Sequence, residues 1–210
     1  MEIKYINLKQ NQLRKARMED LLVKFPYPYS RIEGVQYEEA NPSYQHYTKQ
    51  GTKPYLEGYV FRKGVIGCWI AHSKALESIQ SRSGISVILE DDFCCHEDFF
   101  TQALNRIENF KQPFDLLIFD PWGKGPLAAH KIAEHIYRPL DCTHPYYGGS
   151  HCVFVNNERI DEILDIKCQA KVMDYDGFLL EHPQINCFVF YTGLCWVADL
   201  PSDIRTLTSA

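Results

Sequence analysis

Apolar residues recur along the chain in two rhythms. Short continuous or alternating runs read as strands, and longer stretches with three-to-four-residue spacing read as helices. Glu2 to Leu8 opens as a strand, and Gln12 to Phe25 follows as a helix in which Leu13, Met18, Leu21, Leu22 and Phe25 recur near helical spacing. From 26 to 64 the rhythm is lost. That stretch holds seven of the 13 tyrosines together with Pro26, Pro28, Pro42 and Pro54, which predicts loops and a short strand. Long loops in compact domains are often functional. A helix resumes at Ile66, presents Ile66, Trp69, Ile70, Leu76 and Ile79 on one broad face, and ends near Ser83-Gly84. Ile85 to Leu89 is a continuous apolar run, the pattern of a strand buried on both sides of a parallel sheet, and it stops at Glu90-Asp91-Asp92. Beyond it the pattern predicts a helix at about 97–110, a buried strand from Asp115 to Phe119 ending at Asp120-Pro121, and a helix near 127–136. A strand at Cys152 to Val155, a helix from Asn157 to Ile166, a short helix from about Asp176 and a strand at Cys187 to Tyr191 complete the chain. Alternating β and α elements predict an α/β fold with a mostly parallel, doubly wound sheet flanked by helices.

At 210 residues, with 45% hydrophobic and 23% charged positions, the chain suits one domain over 1–210. Its apolar runs fall far short of the roughly 20 residues a membrane span requires. Met1-Glu2-Ile3-Lys4 leads straight into the first strand with none of the features of a secretory signal, so a cytoplasmic protein is expected. The 22 Lys and Arg against 27 Asp and Glu give a net charge of -5, the wrong sign for neutralising a nucleic-acid backbone. Eight cysteines lie scattered, mostly inside apolar segments, and read as reduced thiols.

Ligands of open parallel sheets bind at the carboxyl ends of the strands. Glu90-Asp91-Asp92 falls at such an end, where adjacent carboxylates repel one another unless solvated or neutralised. A hard divalent cation with oxygen ligands is the natural neutraliser, and a solvated acidic turn is the competing reading. The neighbouring Cys94-Cys95-His96 invites a zinc reading, but adjacent cysteines seldom chelate one tetrahedral ion, and no Cys-x-x-Cys, His-x-x-x-His or distant paired cluster completes a site. His72 falls on the inward side of its helix and reads first as a core histidine. The Gly-x-Ser-x-Gly, P-loop and Gly-x-Gly-x-x-Gly motifs are missing, which removes the main support for serine hydrolase, ATPase and dinucleotide oxidoreductase readings.

Four blocks together resemble the family 25 glycosyltransferases, which include bacterial lipooligosaccharide galactosyltransferases and collagen galactosyltransferases. Ile6-Asn7-Leu8 followed by Arg14, Arg17 and Met18 is similar to the family's N-terminal block. Gly64-Val65-Ile66-Gly67-Cys68-Trp69-Ile70-Ala71-His72 resembles its Gly-x-Ile-Gly-Cys-x-x-Ser-His, with Ile88-Leu89-Glu90-Asp91-Asp92 following at the family's distance. Tyr147-Gly148-Gly149 leading into Cys152-Val153-Phe154-Val155 is the third block, and Asp176-Gly177-Phe178-Leu179 with Ser202-Asp203-Ile204 is the fourth. Ala71, Ser150-His151-Cys152 and Val197 depart from the family pattern.

The resemblance implies a GT-A-type, Rossmann-like fold that moves a hexose, galactose or glucose, from a UDP-sugar to a hydroxyl of a saccharide or other glycoconjugate acceptor, with inversion. It further implies that Asp92 ligates Mn²⁺ or Mg²⁺ with Asp91 as a direct or supporting partner, and that Asn7, Arg14, Glu90, Asp91, Gly148 and Gly149 contact the donor. Asp176, at the start of its helix, is the implied general base, with a helix cap as its alternative role. Two rivals stand beside this reading: a metal-dependent phosphohydrolase built on Asp91, Asp92 and Asp120, and a glycosyltransferase-like module that binds without catalysis.

Overall fold

A computed structural model describes residues 1–36, 50–54, 56, 62–121, 129–139 and 149–200. The chain runs through β1 (Glu2–Leu8), α1 (Gln12–Leu22), β2 (Tyr29–Gly34), α2 (Arg62–Ile79), β3 (Ile85–Glu90), β4 (Phe93–Cys95), α3 (Phe99–Asn109) and β5 (Leu116–Phe119). It continues through β6 (Ala129–Ala133), β7 (Ile136–Pro139), β8 (Cys152–Asn156), a 3₁₀ turn at Asn157–Arg159, α4 (Ile160–Gln169), α5 (Tyr175–Glu181), β9 (Cys187–Phe190) and β10 (Cys195–Val197). Eight strands form one sheet in the order β2-β1-β3-β8-β5-β9-β7-β6, and β10 pairs with β4 in a separate ribbon. β1 is parallel to β2 and β3, and β5 is parallel to β9, while β8 runs antiparallel to both β3 and β5 and β7 runs antiparallel to β9 and β6. Every strand of the sheet except β7 and β8 therefore points the same way, which is the mostly parallel sheet the pattern predicts.

Strand alternation divides the core into two layers. Ile3, Tyr5, Val87 and Leu89 face α1 and α3, where Met18, Leu22, Phe99, Phe100, Ala103 and Ile107 close over them. Ile88, Ile118 and Val153 face the opposite way, toward α2, α4 and α5. Val87, Ile88 and Leu89 are fully buried, so β3 is covered on both faces as its continuous apolar run requires. α2 buries Val65, Ile66, Trp69, Ile70, His72, Ala75, Leu76 and Ile79, more than one stripe, because sheet and helices enclose it. Lys167 of α4 is buried against it, with Nζ 3.3 Å from the centre of the Trp69 ring and donating to Trp69 O at 2.9 Å.

One predicted element is wrong. The helix expected near 127–136 is instead the β6–β7 hairpin, turning at Glu134-His135 with His135 at φ 60°. Leu127 to Glu134 has good intrinsic helix formers, but the open edge of β9 demands backbone partners, and β7 supplies them through Ile136↔Phe190 and Tyr137↔Val189. The reversal of β8 and the β4–β10 ribbon are likewise absent from the sequence pattern.

Candidate active site

The carboxyl ends of β1 and β3 meet at Asn7 and Glu90-Asp91-Asp92. Because side chains alternate along an extended chain, Glu90 and Asp91 leave the sheet toward opposite faces. Asp91 turns to the α1 side, where Oδ1 accepts from Arg14 Nη1 at 2.6 Å and Oδ2 accepts from Asn7 Nδ2 at 2.8 Å. The Arg14 and Asp91 side chains are only 12% and 11% exposed, so this ion pair is largely withdrawn from water. Arg14 is held in place by α1, whose capping residue Asn11 accepts from Arg14 N through Oδ1 at 3.2 Å. One turn later Arg17 Nη2 donates to Asp91 O and Phe93 O at 2.9 and 2.8 Å. Asn7, Arg14 and Arg17 thus fix the turn that carries the acidic cluster.

Asp92 follows outside the sheet. Burial first, then the charges of Glu90 and Asp91, push its carboxyl up to about 7, with Arg14 pulling the other way. Its Oδ1 is buried with no hydrogen-bond partner among the described residues. Ala198, just beyond β10, donates its N–H to Asp92 O at 2.7 Å and lays the β10 tail beside this position. A buried, unpartnered carboxylate oxygen in a field of two further carboxylates is the chemical setting that a divalent cation with oxygen ligands fits.

Glu90 turns to the α2 and α5 side. Its Oε1 lies 3.2 Å from His72 Nε2 and accepts from Ser150 Oγ at 2.5 Å. Burial opposes ionisation of Glu90, and the hydrogen bonds from His72 and Ser150 overcome it, holding the carboxyl below its usual value. His72 is 1% exposed, stacks on Tyr175 at 3.8 Å between ring centres, and is pushed by burial toward the neutral imidazole. It is a core histidine, as its helix position predicts, and also a partner of Glu90. Cys68 lies one turn earlier on α2, and one ligand atom each from Cys68, His72 and Glu90 fall within 4.8 Å of one another. Sequence reasoning missed this constellation. The signal available to it was the Cys-x-x-x-His spacing, one helical turn, in the same block that carries the family resemblance.

Asp176 lies in the first turn of α5, and the N-cap is Asp174, which corrects the capping role considered for Asp176. Asp176 Oδ2 accepts from Gly149 N at 2.9 Å and Oδ1 from Gly177 N at 3.0 Å. Gly149 has φ 107°, a backbone conformation side chains disfavour, and so gives this close approach without strain. Burial raises the Asp176 carboxyl above its usual value; the two backbone N–H groups counter this in part, and the charges of Asp174 and Glu90 add to the rise. Gly148, Tyr147 and Ser202-Asp203-Ile204 lie outside the described residues. Asp120 takes no part in the acidic cluster. Its carboxylate accepts from Thr192 N and Oγ1, Gly193 N, Leu194 N and Cys195 N, tying down the turn into β10 and leaving the phosphohydrolase reading without its third carboxylate.

The profile of glycosyltransferase family 25, described as LPS biosynthesis proteins, matches residues 1–140, two-thirds of the sequence. The chain belongs to glycosyltransferase family 25. That span of the family 25 profile includes Asn7, Arg14, His72 and the Glu90–Asp92 cluster. A search of curated proteins finds no significant match. Among solved structures, S. aureus TarS 1–349 in complex with UDP-GlcNAc aligns with a TM-score of 0.50 and 9% identity over 100% of this chain and 60% of that one, which shows a shared fold. A glycosyltransferase involved in glycosylation of the major capsid of PBCV-1 aligns at a TM-score of 0.39 and 16% identity, over 79% of this chain and 63% of that one. 4-Diphosphocytidyl-2C-methyl-D-erythritol synthase from Anaerococcus prevotii aligns at 0.44 and 13% identity, over 98% and 76%. The family 25 chain spans about three-fifths of the length of TarS 1–349 and of the PBCV-1 glycosyltransferase. Among the described residues no helix is long and apolar enough to cross a membrane.

Proposed function

We propose that this family 25 chain is an inverting, metal-dependent hexosyltransferase of the cytoplasm, moving galactose or glucose from a UDP-sugar to a hydroxyl of a saccharide or other glycoconjugate acceptor in lipopolysaccharide assembly. The observation that carries the proposal is the buried, unpartnered Oδ1 of Asp92 at the carboxyl end of β3, beside Glu90 and Asp91. Asp92 is the residue that would hold Mn²⁺ or Mg²⁺, with Glu90 and Asp91 supplying negative field. A cation bound there supplies Lewis-acid stabilisation of the charge that develops on the departing diphosphate.

The chain's own residues divide the remaining work. Asp91, locked to Arg14 and Asn7, orients the turn that carries Asp92. Inversion requires a base on the face opposite the leaving group, and Asp176 is that base: a carboxyl raised by burial takes the acceptor hydroxyl's proton more readily than one of ordinary acidity. Gly149, bonded to it, aims the carboxylate, and the family resemblance assigns Gly148 and Gly149 to the donor.

The test is calorimetric titration of UDP and UDP-sugars with and without Mn²⁺. Binding should require the cation and vanish in Asp92→Asn. A proton on Asp92 competes with the cation, so donor affinity should fall as pH drops below about 7 and level off above it. Metal-independent binding, or full binding by Asp92→Asn, overturns the assignment. A turnover screen over nucleotide sugars and saccharide acceptors then distinguishes an enzyme from a module that only binds.

A further inference from the structure

The donor reading uses the charge of Glu90 but gives no role to Cys68 and His72, which lie beside it. We propose that these three side chains bind a second divalent cation of borderline softness, Zn²⁺ by preference, with a fourth coordination position open. Cys68 and His72 are one turn apart on α2 and therefore share a face of a rigid helix. Glu90 approaches from the end of β3, and the three ligand atoms already lie within 4.8 Å of one another. Two nitrogen or oxygen ligands on one tetrahedral zinc, each at about 2.0–2.2 Å from it, are separated by about 3.3–3.5 Å. The 3.2 Å between His72 Nε2 and Glu90 Oε1 is close to that separation, so gathering the thiolate needs only a modest side-chain movement.

Other contacts point the same way. His72 is itself buried in the core. Its ring plane is fixed by the stack on Tyr175, and Ser150 Oγ orients the Glu90 carboxylate, the kind of outer contact that holds metal ligands in place. Cys68 is half-buried and the Glu90 side chain is 31% exposed, which leaves an approach from solvent. A thiolate, an imidazole and a carboxylate together suit zinc and its transition-metal neighbours, whereas the all-oxygen surroundings of Asp92 suit Mn²⁺ or Mg²⁺. Three protein ligands with one vacancy is the arrangement of a zinc that engages water or substrate rather than one that merely braces a fold. Binding releases the Cys68 thiol proton to solvent as the S–metal bond forms.

Cobalt reports on the site because cobalt–thiolate bonds give a near-ultraviolet charge-transfer band. Titration of the full chain with Co²⁺ should produce this band with about one equivalent, and Zn²⁺ should abolish it. Cys68→Ser should lose the band while keeping Mn²⁺-dependent UDP binding, and Asp92→Asn should keep the band while losing that binding. His72→Asn, confirmed folded by circular dichroism, should weaken Co²⁺ binding at least about tenfold. No band in the wild-type chain overturns the proposal, as does a band that persists in Cys68→Ser, since another cysteine would then be its source. Unchanged affinity in folded His72→Asn also overturns it. A wild-type chain that shows the band but ignores UDP leaves this site standing and removes the donor proposal instead.

Discussion

Replacing Arg14 by Met keeps the apolar stem of the side chain and deletes the guanidinium, so Asp91 is left charged, 11% exposed and held by Asn7 alone. Breaking one side of a buried pair costs about 3–5 kcal/mol, because the surviving charge keeps its desolvation penalty without its partner. In a chain of this size each kcal/mol moves the melting point by about 2–4 °C, so Arg14→Met should melt roughly 10 °C below wild type. Asp91→Asn removes the charge at nearly constant shape and should cost less. The double variant, with neither charge present, should be more stable than the sum of the single effects predicts by about 2–3 kcal/mol. The assay is urea unfolding of all four proteins at pH 7.5 with a chelator present, so that metal binding at Asp92 does not enter. Additivity within about 0.5 kcal/mol would refute the clamp. If Arg14→Met also left stability unchanged but abolished UDP binding, Arg14 would belong to the diphosphate, as the family resemblance implies, rather than to Asp91.

Three further predictions follow from single residues. Asp176→Asn cannot accept from both Gly149 N and Gly177 N, so it should lose about 1–3 kcal/mol of stability and, as the base, on the order of 10²–10⁴ in turnover with donor affinity nearly unchanged; full activity would move the base to Asp174. Lys167 titrates well below the ordinary lysine value because it is buried; the unfolded chain holds that proton more tightly, so this group favours the fold increasingly as pH rises toward 10.5. Lys167→Met has no such proton, so its advantage over wild type should shrink as pH rises from neutral toward 10; a constant difference in urea midpoint would contradict the assignment. In hydrogen exchange, the interior amides of β3, paired on both edges, should be among the slowest, and those of β6 at the end of the sheet much faster; equal protection would contradict the strand order.

The elements the sequence made legible are those whose own residues carry the signal. Ile85 to Leu89 is apolar at nearly every position because both faces are buried, and no partner need be known to see it. The 129–139 hairpin is different: its conformation is decided by the vacant edge of β9, residues some 50 positions away, against a local preference for helix. The candidate site divides along the same line. Asp92 and Asp176 stand out as carboxylates at a strand end and a helix start. That Asp91 is spent on Arg14, Asp120 on a turn, and Glu90 on His72 and Ser150 depends on contacts across 18 to 77 residues of chain, which single positions do not encode.

The reversed direction of β8 has a consequence for how the edge that carries the candidate site is furnished. In a sheet whose strands all run alike, that edge receives only outgoing chain, as at Asn7, Glu90 and Phe119. Because β8 enters there instead, the segment just ahead of Cys152 arrives at the edge, which is how Gly149 meets Asp176 and Ser150 meets Glu90. Running the other way, the five residues of β8 would set those groups down about 15 Å off, on the far side of the sheet. One inverted strand thus lets an incoming and an outgoing segment share a single rim, and a change in the residues leading into β8 can reshape what sits over Glu90 and Asp176 without disturbing the pairing of Leu89 with Cys152.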